Sequence, residues 1–259
     1  MFDLTGQVAM VTGAARGLGQ LYCRILAQHG ADIIVSDLNL DTLGDTVKMV
    51  TDAGRKAFPV VCNVRSYESV NAAVDQAIEH FGKIDILVNN AGLNIRKRAL
   101  DITPEDWNTV LEVNLRGQFF MAQAVGRYMK KAGYGRIINI GSATVTFAYK
   151  GIAPYCASRG GVKQMTASLA CDFADYGISV NCLAPGWFAT AQTQVLWENE
   201  GWREYIKDRI PQKRLGDYEE LAAPLLLLAA KENSYMTGQV LLVDGGFTLG
   251  DTRATLESI

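Results

Sequence analysis

Tyr155 and Arg159, four residues apart in PYCASR, are the pair in this chain best suited to moving a proton. On a helix they share one face, about 6 Å apart along the axis. A phenol serves as a general base when its pKa falls from about 10 toward 7. A cation near 4 Å at an effective dielectric of about 20 is worth about 4 kcal/mol, or roughly three pKa units. Arg159 can supply that field. Pro154 sets Tyr155 at a helix start, where the dipole also favours phenolate. A guanidinium, with a pKa above about 12, cannot itself release a proton. Lys163, one further turn along, lies about 12 Å of axial rise from Tyr155, too far for direct action.

The second constellation is TGAARGLG, which places Gly13, Gly17 and Gly19 in G-x-x-x-G-x-G spacing. It follows an apolar run and opens a helical pattern. Glycines there let the chain turn sharply and bring the helix N-terminus against a pyrophosphate, whose charge the amides and dipole favour. Asp37 ends the next apolar run, eighteen residues past Gly19. A carboxylate at that point accepts from both adenosine ribose hydroxyls and repels the 2'-phosphate of NADP. Arg16 opposes this reading, since a loop arginine can pair with that phosphate, but Leu38 and Asn39 add no further base. NAD is therefore expected over NADP.

These groups need a frame. Short β-branched runs at 8–12, 32–37, 57–62, 84–89, 136–141, 178–183 and 239–244 alternate with helical periodicity over 17–29, 41–53, 66–81, 104–131, 154–175 and 217–231. Continuous apolar runs suit strands covered on both faces, and right-handed crossovers then give a doubly wound α/β sheet of about seven parallel strands. No repeat or linker interrupts residues 1–259, so a single Rossmann-type domain is expected. Between Pro185 and Arg214 the rhythm breaks. Trp187, Trp197 and Trp202 fall there, beyond a strand's carboxyl end, and 187–214 is read as a helical substrate lid.

Composition excludes other chemistries. The 259 residues carry 25 Lys and Arg against 27 Asp and Glu, with no basic block to hold nucleic acid. Two histidines, His29 and His80, and five cysteines without a C-x-x-C pair leave a zinc-dependent dehydrogenase and a serine–histidine hydrolase short of parts, and no metal is expected. The cysteines read as reduced, mostly buried thiols. MFDLTGQVAMVTG lacks the basic start and long apolar core of a secretory signal, and the apolar stretch Leu221–Ala230 is about half a membrane span. A soluble, cytoplasmic protein is expected.

TGAARGLG, the NNAG of 89–92, the Asn114 of VNLRG, Ser142 thirteen residues before Tyr155, and PGWFAT at 185–190 together resemble the short-chain dehydrogenase/reductase family, from Leu4 to about Phe247. The resemblance implies an oxidoreductase that moves a hydride between nicotinamide and a hydroxyl or carbonyl carbon. It implies that Leu18, Asn90, Ala91, Gly92, Pro185 and Gly186 line the dinucleotide, and that Phe188 and Thr190 reach the nicotinamide carboxamide. Ser142 would hold the substrate oxygen, and Asn114 a water leading to solvent. Asn63-Val64 stands where the family has Asp-Val at the adenine. Arg159 stands where the family has lysine in Y-x-x-x-K, which keeps the positive field and puts the proton-relay role in question. The family also implies a homotetramer through the helices of 104–131 and 154–175.

The PGWFAT motif followed by a tryptophan-bearing stretch is similar to that of sugar and sugar-acid dehydrogenases of the gluconate 5-dehydrogenase kind. Physically, Arg96 or Arg98 in LNIRKRAL could grip an anion in a bidentate fork, and tryptophan faces stack on sugar C–H surfaces. Two other readings stay open. A ketoacyl-carrier reductase shares these motifs, with Arg127, Lys130 and Lys131 to receive an acidic carrier protein. An NAD-binding scaffold without turnover would follow if Arg159 fails to replace lysine.

Overall fold

The computed structural model describes residues 2–188 and 198–250. Seven parallel strands form one sheet in the order β3-β2-β1-β4-β5-β6-β7. They are β1 (Val8–Thr12), β2 (Asp32–Asp37), β3 (Ala57–Val61), β4 (Ile86–Asn89), β5 (Gly135–Ile140), β6 (Ile178–Pro185) and β7 (Val240–Val243). Every residue of β1, β4, β5 and β6 is buried, while the edge strands β3 and β7 are partly open. That contrast is why the central runs are rich in Val, Ile and Leu, with buried Asn89, Asn139 and Asn181 among them. Strand order reverses between β1 and β4, so the crevice beyond their carboxyl ends is the ligand-binding point of such a sheet.

Helices cover both faces. On one side α1 (Gly17–Gln28) lies on β1 and β2, α2 (Gly44–Asp52) on β2 and β3, and α8 (Ala222–Ala229) on β5 and β6, with Leu21, Ile25, Leu225 and Leu228 in one buried cluster. On the other, α3 (Tyr67–Phe81), α5 (Gly117–Ala132) and α6 (Ala153–Phe173) bury Val74, Met121, Val125 and Leu169 against Met10, Leu87 and Val180. A further helix, α7 (Glu200–Arg209), lies beyond β6, and Phe188 bridges Gly216.

The periodic stretch 104–131 is not one uniform helix. Thr103 and Asp106 form a capping box with Pro104 at the first turn of α4 (Pro104–Leu111), and a π turn at Glu112–Arg116 joins it to α5. Hydrophobic spacing survives a single inserted residue, so periodicity alone does not reveal it. Similarly, 217–231 begins as a 3-10 turn at Tyr218–Leu221, and Pro224 sits in the first turn of α8, where its missing N–H costs no helical bond.

Candidate active site

One cleft of about 930 Å³ opens at the carboxyl end of the sheet. Its floor begins at the glycine turn. Gly13 has φ +66°, and a Cβ there would sit 2.9 Å from the Ala91 Cα. A Cβ on Gly19 would meet the Gly13 carbonyl oxygen at 2.0 Å, so α1 can approach β1 this closely only as glycine. Gly13, Arg16, Gly17 and Leu18 line the cleft, whereas Gly19 packs behind Gly13. Arg16 is exposed at the N-cap of α1 and makes no capping bond with its side chain.

Asp37 is fastened in place. One carboxylate oxygen accepts from the Ala15 amide at 2.9 Å and the other from the Leu38 amide at 2.7 Å. Asn90 braces the same turn: its Nδ2 donates to the carbonyls of Thr12 at 3.0 Å and Gly13 at 3.1 Å, and its own amide donates to Thr12 Oγ1. Asn90 thus borders the cleft while its side-chain amide is spent on the glycine loop. Ala91 and Gly92 continue the wall. Asn63 is exposed in the cleft, with Oδ1 accepting from the Arg65 amide at 3.1 Å, and Val64 is buried against Gly117.

Ser142, Tyr155 and Arg159 line the cleft from three points of the chain. Ser142 caps a short 3-10 turn after β5, its Oγ accepting from the Thr144 amide at 3.2 Å. Tyr155 is in the first turn of α6, with Pro154 beside it at the helix start. One turn on, the buried guanidinium of Arg159 has its carbon 4.9 Å from the centroid of the Tyr155 ring, and its Nη1 donates to the Ile140 carbonyl at 2.7 Å. Its Nε has no partner. A Cβ on Gly92 would come within 2.6 Å of Arg159 Nη2, so this glycine makes room for the guanidinium. Asn114, in the π turn, clasps Leu93 at both backbone groups: Oδ1 accepts from its amide and Nδ2 donates to its carbonyl, each at 2.9 Å. Nδ2 also reaches Ser158 Oγ at 3.2 Å. The side chain is a positioning element, occupied in holding the post-β4 loop to α6.

The three basic residues after NNAG diverge. Arg96 lines the cleft, Lys97 pairs with Asp106 at 2.6 Å, and exposed Arg98 is not part of the cleft wall. Alternation in extended chain would put Arg96 and Arg98 on the same face and does not separate them; Arg98 instead stands at the N-cap of the 3-10 turn Ala99–Asp101, outside the cleft lining. Trp187 lines the cleft, while Trp202 stands behind it, edge-on at 5.0 Å, and so does not form the wall. Pro185, Gly186 and buried Phe188 complete that side. Thr190 and Trp197, with part of the 187–214 lid, fall outside the described residues.

Several lining residues escaped sequence reasoning. Asn94, Thr144, Phe147, Tyr149 and Phe247 all face this cleft. Phe147, Tyr149, Trp187 and Phe247 pack edge to face, with centroids 4.9–6.0 Å apart. The available signal was position: Asn94 follows β4 and Thr144 and Tyr149 follow β5, at the strand ends where such sheets bind ligands.

A dinucleotide fits what is present: a glycine turn that any Cβ would fill, a helix N-terminus, and a pre-set carboxylate at the end of β2. The fold and cleft define a pyridine-nucleotide-dependent oxidoreductase. Residues 13–248 match the family model described as "Enoyl-(Acyl carrier protein) reductase". Gluconate 5-dehydrogenase of Gluconobacter oxydans (strain 621H) is 37% identical over 96% of this chain and 97% of its own. The 3-oxoacyl-(acyl-carrier-protein) reductase FabG of Thermotoga maritima is 38% identical over 95% and 99%. A crystal structure of a gluconate 5-dehydrogenase from Burkholderia cenocepacia J2315, in complex with NADP and tartrate, superposes with a TM-score of 0.93 at 38% identity, covering 96% of this chain and 98% of that one. The chain belongs to the short-chain dehydrogenase/reductase family. No described helix is long and apolar enough to cross a membrane.

Proposed function

We propose that this protein is an NAD-dependent dehydrogenase that oxidises a secondary hydroxyl or lactol of a sugar or sugar acid, and catalyses the reverse reduction. The observation that carries this reading is the meeting of Ser142, Tyr155 and Arg159 in the cleft whose other end holds the glycine turn and Asp37. Gly13, Gly17 and Leu18 would hold the pyrophosphate, and Asp37 the adenosine ribose. Bound there, the nicotinamide supplies the hydride acceptor or donor.

The chain's own groups do the proton chemistry. Tyr155's phenolic oxygen takes the substrate's hydroxyl proton in oxidation and returns one in reduction. Ser142 Oγ holds the same substrate oxygen. Arg159 keeps a permanent positive charge against the Tyr155 ring and donates to Ile140, but passes on no proton, so exchange with solvent runs past it. Asn114 fixes the loop that forms the wall opposite α6. Arg96 is the anion contact for an acidic substrate, and Trp187 offers an apolar face.

NAD is favoured because both oxygens of Asp37 are already tied to backbone amides, which fixes a negative charge where a 2'-phosphate would go. The NADP in the Burkholderia relative points the other way, and Arg16 is the residue here that could serve it. The Thermotoga relative keeps a ketoacyl-carrier reductase as the second reading. The test is a rate screen with purified protein over sugars, sugar acids, plain alcohols and ketoacyl thioesters, with NAD(H) and NADP(H) in parallel. NAD-linked turnover highest on a polyhydroxy acid is expected. Preference for NADPH and a ketoacyl thioester, or no turnover at all, would overturn the assignment.

A further inference from the structure

The peptide between Ile140 and Gly141 closes β5 at the wall of the cleft. Its Gly141 amide donates to the Leu183 carbonyl of β6 at 2.8 Å. Amide and carbonyl of one trans peptide point opposite ways, so the Ile140 carbonyl faces β4. The ladder with β4 has already ended, its last pair being Asn89 with Asn139. Past that point the Asn90 and Ala91 amides both turn to Thr12 Oγ1 at 3.0 Å. The Ile140 carbonyl is therefore left to side chains, and two reach it: Arg159 Nη1 at 2.7 Å and Gln118 Nε2 at 3.2 Å.

Gln118 is buried in the first turn of α5, on a face that otherwise packs Met121, Ala122 and Val125. An amide buried there is costlier than a leucine or methionine unless it is hydrogen-bonded. Its backbone carbonyl accepts separately from Asn89 Nδ2 at 3.1 Å, so this turn is held without the side chain. Nε2 is a neutral donor: it shares the Ile140 carbonyl and leaves the charge of Arg159 unopposed. That charge lies against the Tyr155 ring, the guanidinium carbon 4.9 Å from its centroid. It also reaches Tyr22 of α1 and Cys182 of β6. Burial raises both of these groups, the Cys182 thiol to about 12, so neither changes charge in the working range.

We propose that Gln118 is a positioning residue: acting through the Ile140 carbonyl, it holds the Arg159 guanidinium against Tyr155, the group that exchanges the substrate proton. The kinetic consequence rests on the dehydrogenase reading above, whereas the arrangement is a property of the free protein. An arginine's planar fork needs an acceptor fixed in one direction, unlike an ammonium on a flexible stem. Gln118 fixes that acceptor. Coulomb energy falls with distance, so a guanidinium that drifts from the ring favours phenolate less.

The test is Gln118→Met, which keeps the bulk and removes the donor. Protein labelled with carbon-13 at tyrosine Cζ reports the Tyr155 titration directly, its signal being the one lost in Tyr155→Phe. The midpoint should rise by about half a pH unit or more. The acid limb of the kcat/KM profile for oxidation should move up with it, while dinucleotide affinity holds within twofold. In an Arg159→Met background, the same Gln118→Met change should leave the midpoint where Arg159→Met alone puts it. An unmoved midpoint overturns the proposal, and so does an equal shift with Arg159 gone. Gln118→Glu, equal in shape, serves if the methionine variant does not fold. Its carboxylate pairs with the guanidinium, and the midpoint should rise by about one unit or more; no rise overturns the proposal equally. A shifted midpoint in a protein that oxidises no hydroxyl compound supports the positioning role and defeats the dehydrogenase reading alone.

Discussion

Arg159 lies against the ring of Tyr155, its guanidinium carbon 4.9 Å from the ring centroid, while its Nη1 is anchored on the carbonyl of Ile140. The same carbonyl accepts from Gln118 Nε2 at 3.2 Å, and Gln118 in turn accepts, through its backbone carbonyl, from Asn89 Nδ2 at 3.1 Å. Asn89 continues to Asn139 and Asn139 to Thr166. The arginine is thus the outermost member of a buried polar chain linking β4, β5, α5 and α6. Its position is set by the scaffold before any ligand arrives.

Removing the phenolic oxygen is the sharpest test of the site. Tyr155→Phe keeps the ring under the guanidinium and deletes only the group that exchanges a proton. A fall in kcat of about 10²–10⁴-fold is expected, with dinucleotide binding retained. Comparable turnover by this variant would remove Tyr155 from its role.

Replacing Arg159 separates charge from shape. Arg159→Lys keeps a cation on the same helix face and should keep or raise activity. Arg159→Met removes the charge, leaves the Ile140 carbonyl with one donor fewer, and should cost about tenfold or more in kcat/KM. Steady-state rates for the pair decide between an electrostatic role and a packing role. Equal activity of the methionine variant would show that the cation is dispensable.

Cofactor choice should turn on one carboxylate. Asp37→Ser removes the fixed negative charge and leaves Arg16 unopposed, so the ratio of kcat/KM for NAD over NADP is expected to drop about tenfold or more. The ratio is measured with one substrate at saturation. An unmoved ratio would assign selection to Arg16 or to the Leu38–Asn39 turn.

The strands, the glycine turn and the Ser142, Tyr155, Arg159 set were legible because each rests on local spacing: β-branched runs, G-x-x-x-G-x-G and a one-turn separation on a helix. Asn114 stood out through the VNLRG resemblance, but its grip on Leu93 did not, since that contact joins positions 21 residues apart across a π turn. Arg96 and Arg98 could not be separated by type, and only loop direction sorts them. Asn94, Thr144 and Tyr149 carry no motif. What marks them is their place in the cleft wall, a property that exists only once the chain is folded.

Asn114→Ala tests the clasp directly. It leaves both the amide and the carbonyl of Leu93 without their side-chain partner, and each buried unpaired group costs about 1–3 kcal/mol. For a chain of this size that corresponds to a melting temperature lower by about 4 °C or more. Because the Leu93 loop also carries Arg96, KM for an acidic substrate should rise together with the loss of stability. A stable variant with normal KM would place the burden on α6 packing instead.

The Lys97–Asp106 pair gives the same loop a pH signature. The hydrogen bond from Lys97, with further donors from Thr103, holds the Asp106 carboxyl well below its ordinary 3.8, at about 2. A carboxylate depressed in the folded state stabilises above its unfolded pKa and loses that contribution as pH falls through the folded value. Wild type should therefore exceed Asp106→Asn in stability above about pH 4, with the gap closing between about 4 and about 2. Urea midpoints across that range, with a carboxyl-carbon NMR titration of Asp106, measure both quantities. At neutral pH the asparagine variant should also raise KM for an acidic substrate, since Lys97 no longer pins the segment that presents Arg96. A gap independent of pH would mean that ionisation of Asp106 does not hold the loop.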